Sequence, residues 1–471
     1  MDSEIALYSD LQELILQFLL GDFSNALKCC LVCKDWQRFC RPRLFTTLDF
    51  TSRQGKERFR GFVELLEAPV TPTFSPYVER IALDDRAEPQ DIEALDSSKL
   101  VRLSSLSVKS DAEELVPSSY YFKSISKRFS RITHLDMTGV AFIMRRTFLD
   151  FICSFSELQT LAMGDARCLG IWIDAHGSID ESRWRLPPLK SLCLSMAIGE
   201  TLEETFLGWL GNQLRSHNTL QTLTLLGVVM QPDLIRTFIE CASPHLEELE
   251  LDTRLFSVMN GACSGQDLNI MYSDILLRIP AGLESSGVSL PRLRTLKLGI
   301  PIPIDQIASR EGDVQVEGDS RSTGDSSVID ITTIAALSKE LPRAEAPQLQ
   351  ELVLSPFITS ETGDFAYICP LDTLNRIRFT EFDKTLSQLH HSFPNLHTVS
   401  FSCEEHVPTP PNLESPQSLQ DEISACRIPL PEPRLDPLRF GATAFPLTLA
   451  KGLVTLQVLS TSQDTATEAL L

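Results

Sequence analysis

The sequence predicts an α/β chain: a small helical unit over residues 1–45, then a long array in which a short strand and a helix alternate. Three observations lead there. An apolar-x-x-apolar-x-apolar pattern returns again and again after residue 45. Stretches with helical spacing, such as Arg145–Phe155 and Glu203–Leu214, fill the gaps between its copies. Residues 7–45 carry helical spacing alone, with no strand-like alternation.

The first helix is expected over Leu7–Leu19, where Leu7, Leu11, Leu14, Ile15, Phe18 and Leu19 share one face. Ser9 and Asp10 suit its start, because a short side-chain oxygen can accept an orphan backbone N–H. Gly21 ends it, and Asp22 or Ser24 can open a second helix carrying Ala26, Leu27, Cys30 and Leu31. A third, with Trp36 and Phe39, is expected to stop before Pro42, which cannot donate to the helix ladder. Three short helices enclose little core, so such a unit is completed by a partner or by the domain it caps.

Leu7-Tyr-Ser-Asp-Leu11-Gln-Glu-Leu-Ile15-Leu16-Gln-Phe-Leu19, followed without gaps by Asp22 through Leu31-Val32-Cys33-Lys34-Asp-Trp36, resembles an F-box. The next residues, Arg41-Pro-Arg-Leu-Phe45, are similar to the exit sequence of many fungal F-box proteins. Tyr8 stands where the family usually has Pro, and Leu14 where an acid is common. The resemblance implies docking onto Skp1, and through it onto a cullin–RING ubiquitin ligase. Carried over residue by residue, the Skp1-binding set is Leu7, Leu11, Ile15, Leu16, Leu19, Leu27, Leu31, Val32 and Trp36. The open alternative is that these helices merely cap the array.

The array itself follows. Strict Leu-x-x-Leu-x-Leu occurs at 189–194, 220–225, 246–251, 293–298 and 349–354, and looser copies open at Val78, Leu103, Ile132, Leu158, Leu374 and Leu396. Pro187, Pro244, Pro291, Pro347 and Pro394 each lie two positions before a first apolar residue, where Pro stops a helix and admits a strand. From Ile81 to Leu249 the central apolar positions advance by a mean of 28 residues. This pattern resembles leucine-rich repeats, over about residues 75–403, although the Asn usual after the strand is mostly missing. The fold expected is therefore a three-helix F-box followed by an irregular leucine-rich-repeat solenoid. An ordinary α/β domain is the alternative.

The boundaries expected are 1–45, 46–403, a Pro-rich connector at 404–437, and last strands with a frayed tail at 438–471. The intervals 249–296 and 296–352 are overlong, and the polar, Gly/Ser-rich stretch at 308–327 reads as a disordered insertion.

Composition excludes several classes. Acids outnumber bases 63 to 42, so the surface repels phosphate backbones and anionic lipid. No nucleic-acid or membrane partner is expected, and no run of about 20 apolar residues exists. Twelve cysteines are too few for a disulfide scaffold and fit a reducing cytoplasmic or nuclear setting. Cys29, Cys30, Cys33 and Cys40 cluster without a second pair at zinc spacing and read as buried thiols. Gly261-Ala-Cys263-Ser-Gly265 imitates a nucleophile elbow but lacks the preceding strand. His390, His391, His397 and His406 have no matching carboxylates. No enzyme activity, cofactor or metal is expected.

In a strand of period two, residues between the apolar positions face out. Those chosen for a target-binding wall are His134, Asp136, Glu248, Glu250, Asp252, Lys297, Arg376 and Arg378, with Glu248, Glu250 and Asp252 as an acidic patch. The function expected is non-catalytic substrate recognition for a Skp1–cullin–F-box ligase, monomeric within the complex. A binding scaffold without a ligase is the first rival, and an α/β enzyme using Cys263 the second.

Overall fold

Most described copies of the repeated pattern become the same local object: a tight turn, a carbonyl that accepts two backbone N–H groups, and a strand. The computed structural model describes residues 23–32, 34–69, 72–110, 117–142, 144–164, 167–168, 183–195, 200–217, 219–226, 232–252, 289–303, 346–359, 366–368, 393–403 and 455–460. Expectations for the first helix, for Arg376 and Arg378, for the copy at Leu374, for Cys33, Cys263, His390, His391 and His406, for the 308–327 insertion and for the Pro-rich connector lie outside these residues.

The chain divides into two compact units, residues 1–223 with 228–230, and residues 224–227 with 231–471. The first opens with helices α1 (Phe23–Cys30) and α2 (Lys34–Phe45), then strand β1 (Thr47–Phe50) and helix α3 (Gly55–Glu67). Next come β2 (Arg80–Asp84), α4 (Pro89–Ala94), β3 (Ser105–Lys109), α5 (Ser119–Arg128), β4 (His134–Thr138), β5 (Ala141–Phe142) and α6 (Arg145–Cys153). β6 (Thr160–Gly164), β7 (Arg167–Cys168), β8 (Ser191–Ser195) and α7 (Glu200–Ser216) follow. The division falls within β9 (Thr222–Leu226).

In the first unit β1, β2, β3, β4, β6 and β8 pair in that order, all parallel. Register aligns Ile81, Leu106, Leu135, Leu161 and Leu192 in one column, and Leu83, Val108, Met137, Met163 and Leu194 in the next. All ten are sealed from water. Each such side chain removed from solvent is worth about 1.5–3 kcal/mol, which pins the register, since a slip of one residue would turn the whole column outward. β5 and β7 form a separate two-residue ladder.

The second unit holds α8 (Pro232–Ala242), β10 (Glu248–Asp252), β11 (Thr295–Pro303), β12 (Glu351–Thr359), β13 (Ala366–Ile368), β14 (Thr398–Cys403) and β15 (Thr455–Ser460). β10, β11, β12, β14 and β15 are parallel in that order, and β13 runs antiparallel to the end of β12. The overlong intervals leave the register intact, since Leu249 aligns with Leu296 and Leu296 with Leu352. Nine-residue β11 and β12 exceed the short strands expected, because the apolar phase of Leu296 and Leu298 continues through Ile300 and Ile302, and that of Leu352 and Leu354 returns at Ile358, the register partner of Ile302.

The conserved geometry of the junctions identifies the copies as structural repeats. The carbonyl of Ser104 accepts the N–H groups of both Thr133 and His134, that of Thr133 those of Gln159 and Thr160, and that of Gln159 those of Lys190 and Ser191. Glu247, Arg294 and Gln350 do the same in the second unit. Before β11, β12 and β14 a turn closes from residue i+3 to i: Leu293 onto Leu290, Leu349 onto Ala346, Leu396 onto Phe393. Pro291, Pro347 and Pro394 are the second residues of these turns, the position whose φ a proline ring fixes in advance. Proline therefore builds the entry turn as well as ending what precedes it.

One expectation is corrected. α2 continues through Pro42 to Phe45 instead of stopping before it. Cys40 and Leu44, buried on either side of the ring, hold the helix together despite the lost backbone bond.

Behind the strands of the first unit runs a chain of rings. Phe142 stacks on Phe122 at 4.5 Å and meets Phe148 edge-on at 5.0 Å, and Phe148 meets Phe206 at 5.0 Å. Gly139, at φ +69°, makes the turn into this region, and a Cβ there would sit 2.2 Å from the Ser110 carbonyl oxygen.

Candidate protein-docking surfaces

The α1–α2 hairpin has two kinds of apolar residue. Ala26, Cys29, Cys40 and Leu44 form its buried centre, with Cys30, Trp36, Phe39 and Phe45 packed around them. Burial and the neighbouring thiols of Cys30 and Cys29 push the Cys40 thiol up to about 12, so it stays protonated. Leu27, Leu31 and Val32 lie outside that centre. They are 48%, 87% and 61% exposed, at the end of α1 and in the turn that follows. Leu27 and Leu31 are one helical turn apart and so share a face. Of the Skp1-binding set, then, these three are uncovered, and Trp36 is spent largely on the hairpin's own packing. Leu7, Leu11, Ile15, Leu16 and Leu19 lie outside the described residues.

The outward face of the first unit's sheet is small and polar. Register sets Arg80, Ser105, His134, Thr160 and Ser191 in one row and Ala82, Ser107, Asp136, Ala162 and Cys193 in the next. His134 is exposed, and its Nδ1 lies 2.8 Å from the Thr133 hydroxyl. Asp136 is half-buried in the middle of the second row and accepts the Ser107 hydroxyl at 3.0 Å. Burial raises its carboxyl above the usual range, against the opposing pull of that hydroxyl and of Lys109. Its row neighbours Ser107 and Ala162 are short, and the nearby cations Lys109 and Arg80 already act on its carboxylate.

Asp84 belongs to the same face by period yet is only 4% exposed. The turn after β2 folds over it: its Oδ1 accepts the Arg86 backbone N–H at 3.0 Å, and the Tyr121 hydroxyl donates to its carbonyl at 3.1 Å. Oδ2 of Asp84 and Oδ1 of Asp85 are buried without a hydrogen-bond partner. Burial first, then the Asp85 side chain, push the Asp84 carboxyl up to about 6, against the Arg86 N–H and charge. A folded value above the unfolded one means that ionised Asp84 costs stability above about pH 6 and that the cost fades as pH falls toward 4. Asp84→Asn is accordingly expected to stabilise the protein by roughly 1–3 kcal/mol at pH 8 and by much less at pH 5. Thermal unfolding at the two values checks this, and an equal gain at both would contradict it.

In the second unit Glu250 and Lys297 are register partners, as are Glu248 and Thr295. Lys297 Nζ lies 2.5 Å from Glu248 Oε1 and 3.9 Å from Glu250 Oε2. Burial alone would lower the Lys297 value, but the hydrogen bond its ammonium donates to Glu248 and the charges of Glu250, Glu248 and Glu351 raise it. The Thr224 hydroxyl donates to Glu250 at 3.4 Å. The acidic patch expected from sequence therefore contains its own cation, and keeps an excess of carboxylates around it. The Asp252 backbone closes β10, and its side chain lies outside the described residues. His397 is exposed beside Thr398.

The charged wall residues thus fall into two separate sets, His134 with Asp136 in the first unit and Glu248, Glu250 and Lys297 in the second. Sequence reasoning missed the Asp84–Asp85 pair, whose burial depends on a turn, and the neutralising role of Lys297. Its signal was present: Glu250 and Lys297 occupy the same slot of Leu-x-x-Leu-x-Leu. A cleft of about 500 Å³ on the helical side is lined by Tyr120, Phe122, Lys123, Thr147, Asp150 and Phe151. Asp150 is already engaged by Arg183 at 2.9 Å and Trp184 Nε1 at 2.7 Å. Among the described residues no group of three metal-ligating side chains converges, and no helix is long and apolar enough to cross a membrane.

No family model matches the chain, and no curated protein does. Several solved structures are similar at a low level, two of them as follows. One is the crystal structure of a TLR13–ssRNA13 complex, at 13% identity and a TM-score of 0.31 over 72% of this chain, which spans 38% of the other. The second is that of a Rad7–Elc1 complex in yeast, at 14% identity and a TM-score of 0.33, covering 89% of this chain and 95% of that one. The chain is α/β, with parallel strands that repeat in register within each unit and several helices, an arrangement compatible with leucine-rich repeats.

Proposed function

We propose that this chain is the non-catalytic substrate-recognition subunit of a Skp1–cullin–F-box ubiquitin ligase. Its N-terminal helices dock on Skp1, and through it on cullin, while the repeat strands hold an unknown target protein. The observation that carries the reading is the uncovered trio Leu27, Leu31 and Val32, with Leu31 87% exposed, beside a hairpin that has its own buried centre. Apolar area of that kind gains about 25 cal/mol per Å² when a partner covers it, before association costs. Two of the three, Leu31 and Val32, open the closing hexad of the F-box-like segment. Rate enhancement would then come from proximity, the target being held near the charged ubiquitin carrier. His134, Asp136, Glu248, Glu250 and Lys297 are the described residues proposed to meet the target.

A second reading is a binding scaffold with no ligase, its hairpin serving as a cap. The stacking of Phe45 on Phe74 at 5.1 Å, which ties the hairpin to the first repeats, favours it. Co-purification decides between them. Full-length chain carrying Skp1 and cullin with it supports the ligase reading, and a folded chain that recovers neither supports the scaffold.

A further inference from the structure

The hairpin differs in charge from the rest of the molecule. Lys28, Lys34, Arg38, Arg41 and Arg43 fall within residues 28–43 beside one acid, Asp35, on a chain whose acids outnumber its bases 63 to 42. Lys28, Lys34, Arg38 and Arg43 are exposed and Arg41 is half-buried. None of the five forms an ion pair with another described residue.

Position adds to this. Lys34, Arg38 and Arg41 are spaced i, i+4, i+7 on α2 and share a face turned away from Trp36 and Cys40, which pack inward. Like charges at that spacing weaken a helix, so the stripe is not explained by helix stability. The stripe begins two residues beyond Val32, and Lys28 adjoins Leu27. An apolar centre is thus rimmed by cations that have no ion-pair partner among the described residues, the arrangement of a docking patch whose rim sets encounter rate and register.

We infer that the occupant of this patch is a protein surface with an apolar furrow flanked by carboxylates, and that the Lys34–Arg38–Arg41 stripe steers its association. Nucleic acid fits poorly, because a phosphate backbone offers nothing to Leu27, Leu31 and Val32 and the remaining surface is acidic. The inference rests on the docking reading above and adds the partner's chemistry to it.

The test is the association rate of the full-length chain with purified Skp1 between 50 and 500 mM NaCl. The wild-type rate should fall at least tenfold across that range, as steered encounters do. Lys34→Gln, Arg38→Gln and Arg41→Gln together should slow association about tenfold at 50 mM, remove most of the salt dependence and leave dissociation nearly unchanged. Arg38→Gln alone, at an exposed position, should show a smaller effect of the same sign and guards against misfolding of the triple variant. A salt-independent rate, or a triple variant as fast as wild type, overturns this inference and leaves the docking reading standing. No binding at any salt overturns both. Low-salt self-association lost in the triple variant would assign the face to a second copy, and so also overturn it.

Discussion

Leu31→Asp combined with Val32→Asp is expected to weaken Skp1 binding by at least a hundredfold while leaving the melting temperature within about 2 °C of wild type. Both halves follow from exposure. Leu31 and Val32 are 87% and 61% exposed, so carboxylates there remain in water in the free protein. In a complex they would be forced into the apolar centre of the interface, where unpaired charge costs several kcal/mol. They also sit among Lys28, Lys34 and Arg38, so the added acids would cancel part of the basic rim. Trp36→Ala is a poorer probe, because Trp36 packs against the Cys40–Leu44 centre and its loss would mix folding with binding. Retained co-purification by the folded double variant would remove these residues from the docking surface.

The largest effect on stability is expected at Phe142. It is fully buried, stacked on Phe122 and edge-on to Phe148, and so links a ring of α5 to a ring of α6. Phe142→Ala deletes the ring and leaves a cavity between well-packed neighbours, at a cost of about 3–5 kcal/mol. Phe142→Leu keeps most of the volume and should cost about half as much. Urea unfolding of both variants checks the order. An alanine variant within 1 kcal/mol of wild type would mean that the rings close over the gap, contrary to this expectation.

How legible the molecule was depended on distance along the chain. Strand positions were readable because each is set locally: buried Leu246, Leu249 and Leu251 are a turn and a strand by their spacing alone, and β10 begins where that spacing places it. Phe45-x-x-Leu48-x-Phe50 is a further copy of the same pattern, leads into β1, and was passed over because it adjoins the helical unit. Pairings across repeats were not readable in the same way. Asp136 meets Ser107 from 29 residues away and Lys297 meets Glu248 from 49, so each depends on register rather than on neighbours. The doubled use of the Ser104, Thr133 and Gln159 carbonyls is a backbone property that any side chain permits, and it left no mark in the letters. Nor did the ring cluster, whose members Phe122, Phe142, Phe148 and Phe206 keep no common spacing.

For the docking surface, the sequence supplied the segment and the structure separated its two roles. Trp36 and Cys40 close the hairpin on itself, whereas Leu27, Leu31 and Val32 remain for something else. Hydrogen–deuterium exchange of the full-length chain, with and without equimolar Skp1, addresses that division most directly. Slowed exchange concentrated in residues 26–38, with the sheet strands unchanged, is the result expected of an adaptor seated on the trio. Exchange in that segment indifferent to Skp1 would contradict it and leave the hairpin as a cap.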